Sequence, residues 1–126
     1  MTRKAIVRLL ALVLAIAAAA TIYYALIPGN LGGMGGGLWH ALAFITLGFL
    51  SRLTFSHTSP IRLLVGLAAF GGLIEIAQGV MGVQRDMDVG DFVVDILASI
   101  VGLAIGAIVL ALYRRARDRS GTEGSV

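Results

Sequence analysis

Eight polar residues stand out in an otherwise apolar chain: His40, Glu75, Gln78, Arg85, Asp86, Asp88, Asp91 and Asp95. An imidazole with several carboxylates can do acid–base chemistry or hold a divalent metal. An arginine can hold a phosphate or carboxylate in a forked pair of hydrogen bonds. Glu75 and Gln78 are three residues apart, and so are Asp88 and Asp91, while Asp91 and Asp95 are four apart. On a helix, such spacings place each pair on one face. Residue type alone assigns no metal-ligand set here and names no cofactor.

What must position these residues is membrane-spanning helix. The chain has 126 residues, 58% hydrophobic and only 13% charged, against about 25% charged in an ordinary soluble domain. Four apolar stretches cover about 5–27, 38–55, 61–82 and 92–113. Each is long enough to cross a hydrocarbon core of about 30 Å at about 1.5 Å per residue. The expected fold is therefore an all-α integral membrane protein, a single four-helix domain without room for a separate soluble one. The first stretch follows a basic start, as a signal peptide would. Its apolar run continues through Tyr23, Tyr24 and Ile27, beyond the usual length of about 7–15 residues, so it reads as a retained span.

Lys and Arg set the orientation. Arg3, Lys4, Arg8, Arg52, Arg62, Arg114, Arg115, Arg117 and Arg119 fall on one side of the four spans, and Arg85 alone on the other. Both termini are expected in the cytoplasm, with 114–126 a basic tail that frays. In a bacterium this is a multi-pass protein of the cytoplasmic (inner) membrane. The polar cluster then faces outward: Glu75 lies roughly 10 Å deep, Gln78 one turn higher, and Asp95 about a turn inside its span. Five of the seven acidic residues gather in this zone.

A charged side chain at the bilayer centre costs about 2.5–3.5 kcal/mol on insertion scales. Glu75 and Asp95 are therefore expected to face the bundle interior. Gly71 falls on the stripe of Glu75 and Gln78, and Gly102 and Gly106 on that of Asp95. Small residues let helices approach closely in lipid, so the simplest packing sets span three against span four. Asp91 suits the N-cap of the fourth helix. Trp39, Tyr23 and Tyr24 suit the membrane interface, and the arginine-rich tail suits anionic lipid.

Some function classes drop out. Without cysteine there is no disulfide, thiolate nucleophile or iron–sulfur cluster. The net charge of +3 does not point to nucleic acid, because the basic residues flank apolar runs and form no groove-sized patch. The glycine-rich 28–37 segment lacks the Gly-Lys-Ser/Thr ending and preceding strand of a phosphate-binding loop.

Span two reads Trp39-His40-x3-Phe44-x3-Gly48. Spans three and four carry Glu75-x2-Gln78 and Arg85-x2-Asp88-x2-Asp91-x3-Asp95. In this order the residues resemble the VanZ-like family of small bacterial membrane proteins, over about residues 38 to 110. Two positions depart from the family pattern. Gly36 and Gly37 stand where an Asp-Lys pair is common, and Asp95 stands where Asn is usual. The first removes a charge pair, and the second adds a negative charge or a proton donor. The resemblance implies a role at the cell envelope. The family's namesake is linked to low-level teicoplanin resistance.

Three functions are compatible with these residues. The first is binding of a lipid-linked or cell-envelope molecule at the outer leaflet, with Arg85 on its anionic group and His40, Glu75 and Gln78 lining the pocket beside Asp88, Asp91 and Asp95. The second is an enzyme acting by acid–base or metal-assisted chemistry on a polyprenyl-phosphate-type substrate. The third is a proton-coupled transporter, for which four short spans are few unless the chain forms a homo-oligomer. Membrane lipids, and on the first reading a lipid-linked precursor, are the expected partners.

Overall fold

The computed structural model describes residues 1–27, 36–82 and 89–123. Among them are four helices and no strand: α1 (Arg3–Leu26), α2 (Gly36–Thr54), α3 (Pro60–Met81) and α4 (Val89–Glu123). Their ends follow local chemistry. The Thr2 hydroxyl accepts from the Ala5 N–H at 3.2 Å and caps α1. The Ser59 hydroxyl accepts from the Arg62 N–H, and Pro60 opens α3 where its missing N–H costs nothing. Gly82 closes α3 in the left-handed conformation, at φ 59°. The α2–α3 turn is tied by Arg52, whose Nη1 donates to the carbonyls of Ser56 and Thr58 at 3.3 and 3.0 Å.

α1, α3 and α4 are long and apolar enough to cross a membrane. The burial pattern agrees with that reading. Large apolar side chains such as Leu12, Ile16, Val65, Leu73 and Ile108 lie more than half exposed on the outward faces. Inside, eight buried hydrophobic residues are matched by seven buried polar or charged ones among the described residues. A soluble domain buries apolar residues and exposes polar ones. Here helices with apolar exteriors enclose the polar groups, as a bundle in lipid requires.

The helices alternate in direction. At one end Arg3 meets His57, and at the other Gln78 meets Ala25 and His40 meets Asp95. α4 lies chiefly along α2, with α3 and α1 against this pair. The expected contact of spans three and four is present, but the most extensive partner of α4 is α2. A Cβ on Gly48 of α2 would stand 2.6 Å from the Ser99 carbonyl oxygen, and one on Gly102 of α4 would run into the Ile45 carbonyl. Gly106 leaves room for the Arg52 stem in the same seam, where a Cβ would come within 2.8 Å of the Arg52 Cβ. The small-residue stripe of α4 thus packs a backbone-to-backbone seam with α2. The α3 stripe does reach α4 at one point: a Cβ on Gly71 would lie 2.8 Å from Asp95 Oδ2. Phe44, buried from α2, fills the space between α3 and α4 beside it.

Two boundaries move outward from the expected spans. α4 starts at Val89 and includes Asp91 in its first turn, so Asp91 is not the N-cap. α4 also continues to Glu123, through the stretch expected to fray. Arg, Ala and Glu are good helix formers, and exposure alone does not end a helix.

Candidate functional site

Four residues from three helices converge at one end of the bundle. His40 sits one turn into α2, Glu75 near the end of α3, and Asp91 and Asp95 one turn apart at the start of α4. The close α2–α4 seam brings His40 onto Asp95, and the Nδ1–H of His40 donates to Asp95 Oδ1 at 2.7 Å. The other ring nitrogen, Nε2, faces two carboxylates, with Glu75 Oε1 at 3.9 Å and Asp91 Oδ2 at 3.8 Å. His40, Glu75 and Asp95 are all buried, Asp95 completely, while Asp91 is partly exposed. One ligand atom from each of His40, Glu75 and Asp95 lies within 4.8 Å of the others.

The support around this group is specific. The ring of His40 lies nearly parallel to that of Phe44, with an interplanar angle of 4° and centroids 6.5 Å apart. The missing side chain of Gly71 lets Asp95 Oδ2 lie against α3. Asp95 Oδ2 is buried and has no hydrogen-bond partner among the described residues. One turn below, the buried Ser99 hydroxyl donates to the Asp95 carbonyl at 2.7 Å and so occupies itself with its own helix. Gln78 turns away from the carboxylates: its Nε2 donates to the Ala25 carbonyl at 2.9 Å. That bond ties the end of α1 to α3, and Gln78 frames the site without entering it.

Beside this cluster lies a half-open apolar cavity of about 300 Å³ between α1 and α2. Ala17, Ala20, Thr21, Tyr24 and Ala25 line it from α1, Trp39, His40, Leu42, Ala43, Phe44 and Thr46 from α2, and Ile74 from α3. Tyr24 stacks on Trp39 at 14° with centroids 6.4 Å apart, at the His40 end of the groove. His40 belongs to both the cavity and the carboxylate cluster.

Of the residues singled out by sequence, His40, Glu75, Asp91 and Asp95 come together and Gln78 adjoins them. Arg85 and Asp88, with Asp86, lie outside the described residues. Sequence reasoning missed Phe44 as the ring beneath His40 and Ser99 as the neighbour of Asp95. Each was open to detection from its helical spacing of four residues from a group already chosen. It also missed the cavity, whose small α1 residues read as ordinary apolar span. Comparison with protein-family models, characterised proteins and solved structures finds no match for this chain.

Proposed function

We propose that this chain is a four-span protein of a bacterial cytoplasmic membrane that binds a lipid-linked molecule of the cell envelope from the outer leaflet. The observation that carries this reading is the double membership of His40. An apolar groove wide enough for a hydrocarbon chain runs into a buried polar cluster at one side chain. An amphiphile has that same division, with an apolar tail and a polar head. Ligand pockets are commonly apolar with a few convergent polar groups.

The orientation rests on charge. The described basic residues Arg3, Lys4, Arg8, Arg52, Arg62, Arg114, Arg115, Arg117 and Arg119 belong to the end away from His40, which favours cytoplasmic termini and an outward site. α2, the shortest helix, is the fourth span in this arrangement. The resemblance of residues 38 to 110 to the VanZ-like family supports an envelope role, and a contribution to glycopeptide tolerance is one form such a role takes.

The test is to purify the protein in mild detergent from native membranes and identify its lipids by mass spectrometry. The expected result is one long-chain species with an anionic head, enriched on the wild type. It is depleted in Ala43→Phe, which fills the groove, and in Arg85→Ala, which removes the outer cation. A lipid profile identical across all three proteins overturns the reading. Because the chain has no cysteine, single cysteines at Leu38 and Thr58 check the topology. The first should react with an impermeant thiol reagent from outside, and the second only after lysis.

A second reading is favoured by the 2.7 Å bond from His40 to Asp95. A carboxylate that holds one imidazole nitrogen leaves the other free to act as a general base. In an enzyme on the same amphiphile, Nε2 of His40 would take the proton. Turnover of a polyprenyl phosphate by the purified protein, abolished in His40→Ala, distinguishes this from binding alone.

A further inference from the structure

The arrangement around His40 has the form of a metal centre, and we infer that His40, Glu75 and Asp91 bind one divalent transition-metal ion, with Asp95 as the residue that orients the imidazole. The inference stands on side-chain geometry and does not depend on the amphiphile reading.

Three observations carry it. First, the imidazole is committed at one nitrogen only. Asp95 accepts from Nδ1–H at 2.7 Å, which leaves the lone pair of the neutral ring on Nε2. Metal-bound histidines characteristically donate their other N–H to a carboxylate in this way, which fixes the tautomer and raises the basicity of the ligand. Second, Nε2 points at two carboxylate oxygens that are too far away for hydrogen bonds, at 3.8 and 3.9 Å. Two ligands that each stand about 2.0–2.1 Å from a tetrahedral metal are about 3.4 Å apart. The two separations from Nε2 are wider by a few tenths of an ångström, so the carboxyl groups of Glu75 and Asp91 both have to swing inward to share one ion. Third, His40 is only 7% exposed, and its ring reaches Asp95 through Nδ1 while Nε2 is turned toward the two other carboxylates. A buried imidazole directed at two carboxylate oxygens marks the place of a shared ligand.

Charge points the same way. Among the described residues, the ion pairs of Asp91 and Asp95 are with His40 alone. Asp91 and Asp95, one turn apart on α4 and both turned to one imidazole, repel each other in a low-dielectric interior, and a dication beside them turns repulsion into attraction. One imidazole with two carboxylates suits Zn²⁺ or Mn²⁺ and lacks the soft sulfur ligands that select copper(I). Three protein ligands leave a coordination position for an outside donor. The described basic end offers no comparable group: there His57 meets Arg3, a cation.

The experiment uses the full-length protein in detergent micelles, stripped with chelator and titrated with Zn²⁺ by calorimetry and with Mn²⁺ by electron paramagnetic resonance. One ion per chain is expected, with the same stoichiometry in His57→Ala. Affinity should fall at least a hundredfold in Glu75→Gln and in His40→Ala, and about tenfold to a hundredfold in Asp95→Asn, where the orienting carboxylate is lost. Electron spin-echo spectra of bound Mn²⁺ on His57→Ala protein should show coupling to one imidazole nitrogen. That readout needs no change at the site, so it decides the matter even if the site variants fail to fold. Absence of stoichiometric binding, or binding without a nitrogen coupling, overturns the inference. So does binding that survives in folded His40→Ala protein.

Discussion

The chain has two histidines, one near each end of the bundle, and their surroundings are opposites. His40 is buried, stacked over Phe44, bonded to Asp95 and faced by Glu75 and Asp91. His57 is exposed in the α2–α3 turn and, among the described residues, hydrogen-bonds the Arg3 side chain alone. The difference follows from the helix seams. Near His40, Gly71 removes the side chain that would hold α3 off Asp95, and midway along the bundle Gly48 and Gly102 bring α2 against α4, so the polar groups are pressed together away from water. At the His57 end, charged residues reach outward, where interactions between exposed groups are worth little. Polar residues are common to both ends, but only the tightly packed end makes them a site.

Substitutions should separate the two ends in a graded way. The largest effect is expected from Gly102→Leu, whose side chain would push α4 off the Ile45 carbonyl. Overpacking of this kind costs about 3 kcal/mol or more at a backbone contact. Thermal unfolding in detergent should register it as loss of a cooperative transition. Next comes Asp95→Ala, which strips His40 of its bond in the interior. The cost should be about 1.5–3 kcal/mol, the range for a hydrogen bond involving a charged group, read from the same melts. Smaller still is Gln78→Leu, which releases α1 from α3. An interhelical bond of this type in a membrane protein is worth about 0.6 kcal/mol, and at most about 1.7. Faster proteolysis near Ile27 should accompany the small loss. His57→Ala should leave the melting curve unchanged. A large loss there, or none in Gly102→Leu, would break the contrast between the ends.

Much of this was legible in the sequence. Four helices lie where the apolar stretches run, and His40, Glu75, Asp91 and Asp95 meet because alternating helix directions bring one end each of α2, α3 and α4 together. The helix pairing was not legible. Gly102 and Gly106 announce a close approach but do not say to which helix. The matching surface on α2 is a single glycine, Gly48, among large residues, and a lone glycine gives no periodic signal. The inward turn of Gln78 was also hidden. Its partner is the Ala25 carbonyl, and any helix end can offer a carbonyl without a mark in the side-chain pattern. The continuation of α4 through the polar tail to Glu123 was not legible either, because polarity ends only the part of a helix that suits lipid.

The contact between α2 and α4 also limits how this molecule can move. Helices held through bulky side chains can slide as rotamers change. Helices that touch through Gly48 and Gly102, backbone against backbone, have no rotamers in the contact to give way. The pair therefore behaves as a single rigid post, with His40 and Asp95 fixed to it in constant register. The wall of the cavity opposite this post is α1, which buries only Ala25 and is tied to α3 at its C-terminal end by the Gln78 bond. The cavity thus has one stiff wall and one yielding wall, and the yielding one, α1, carries none of the four clustered residues.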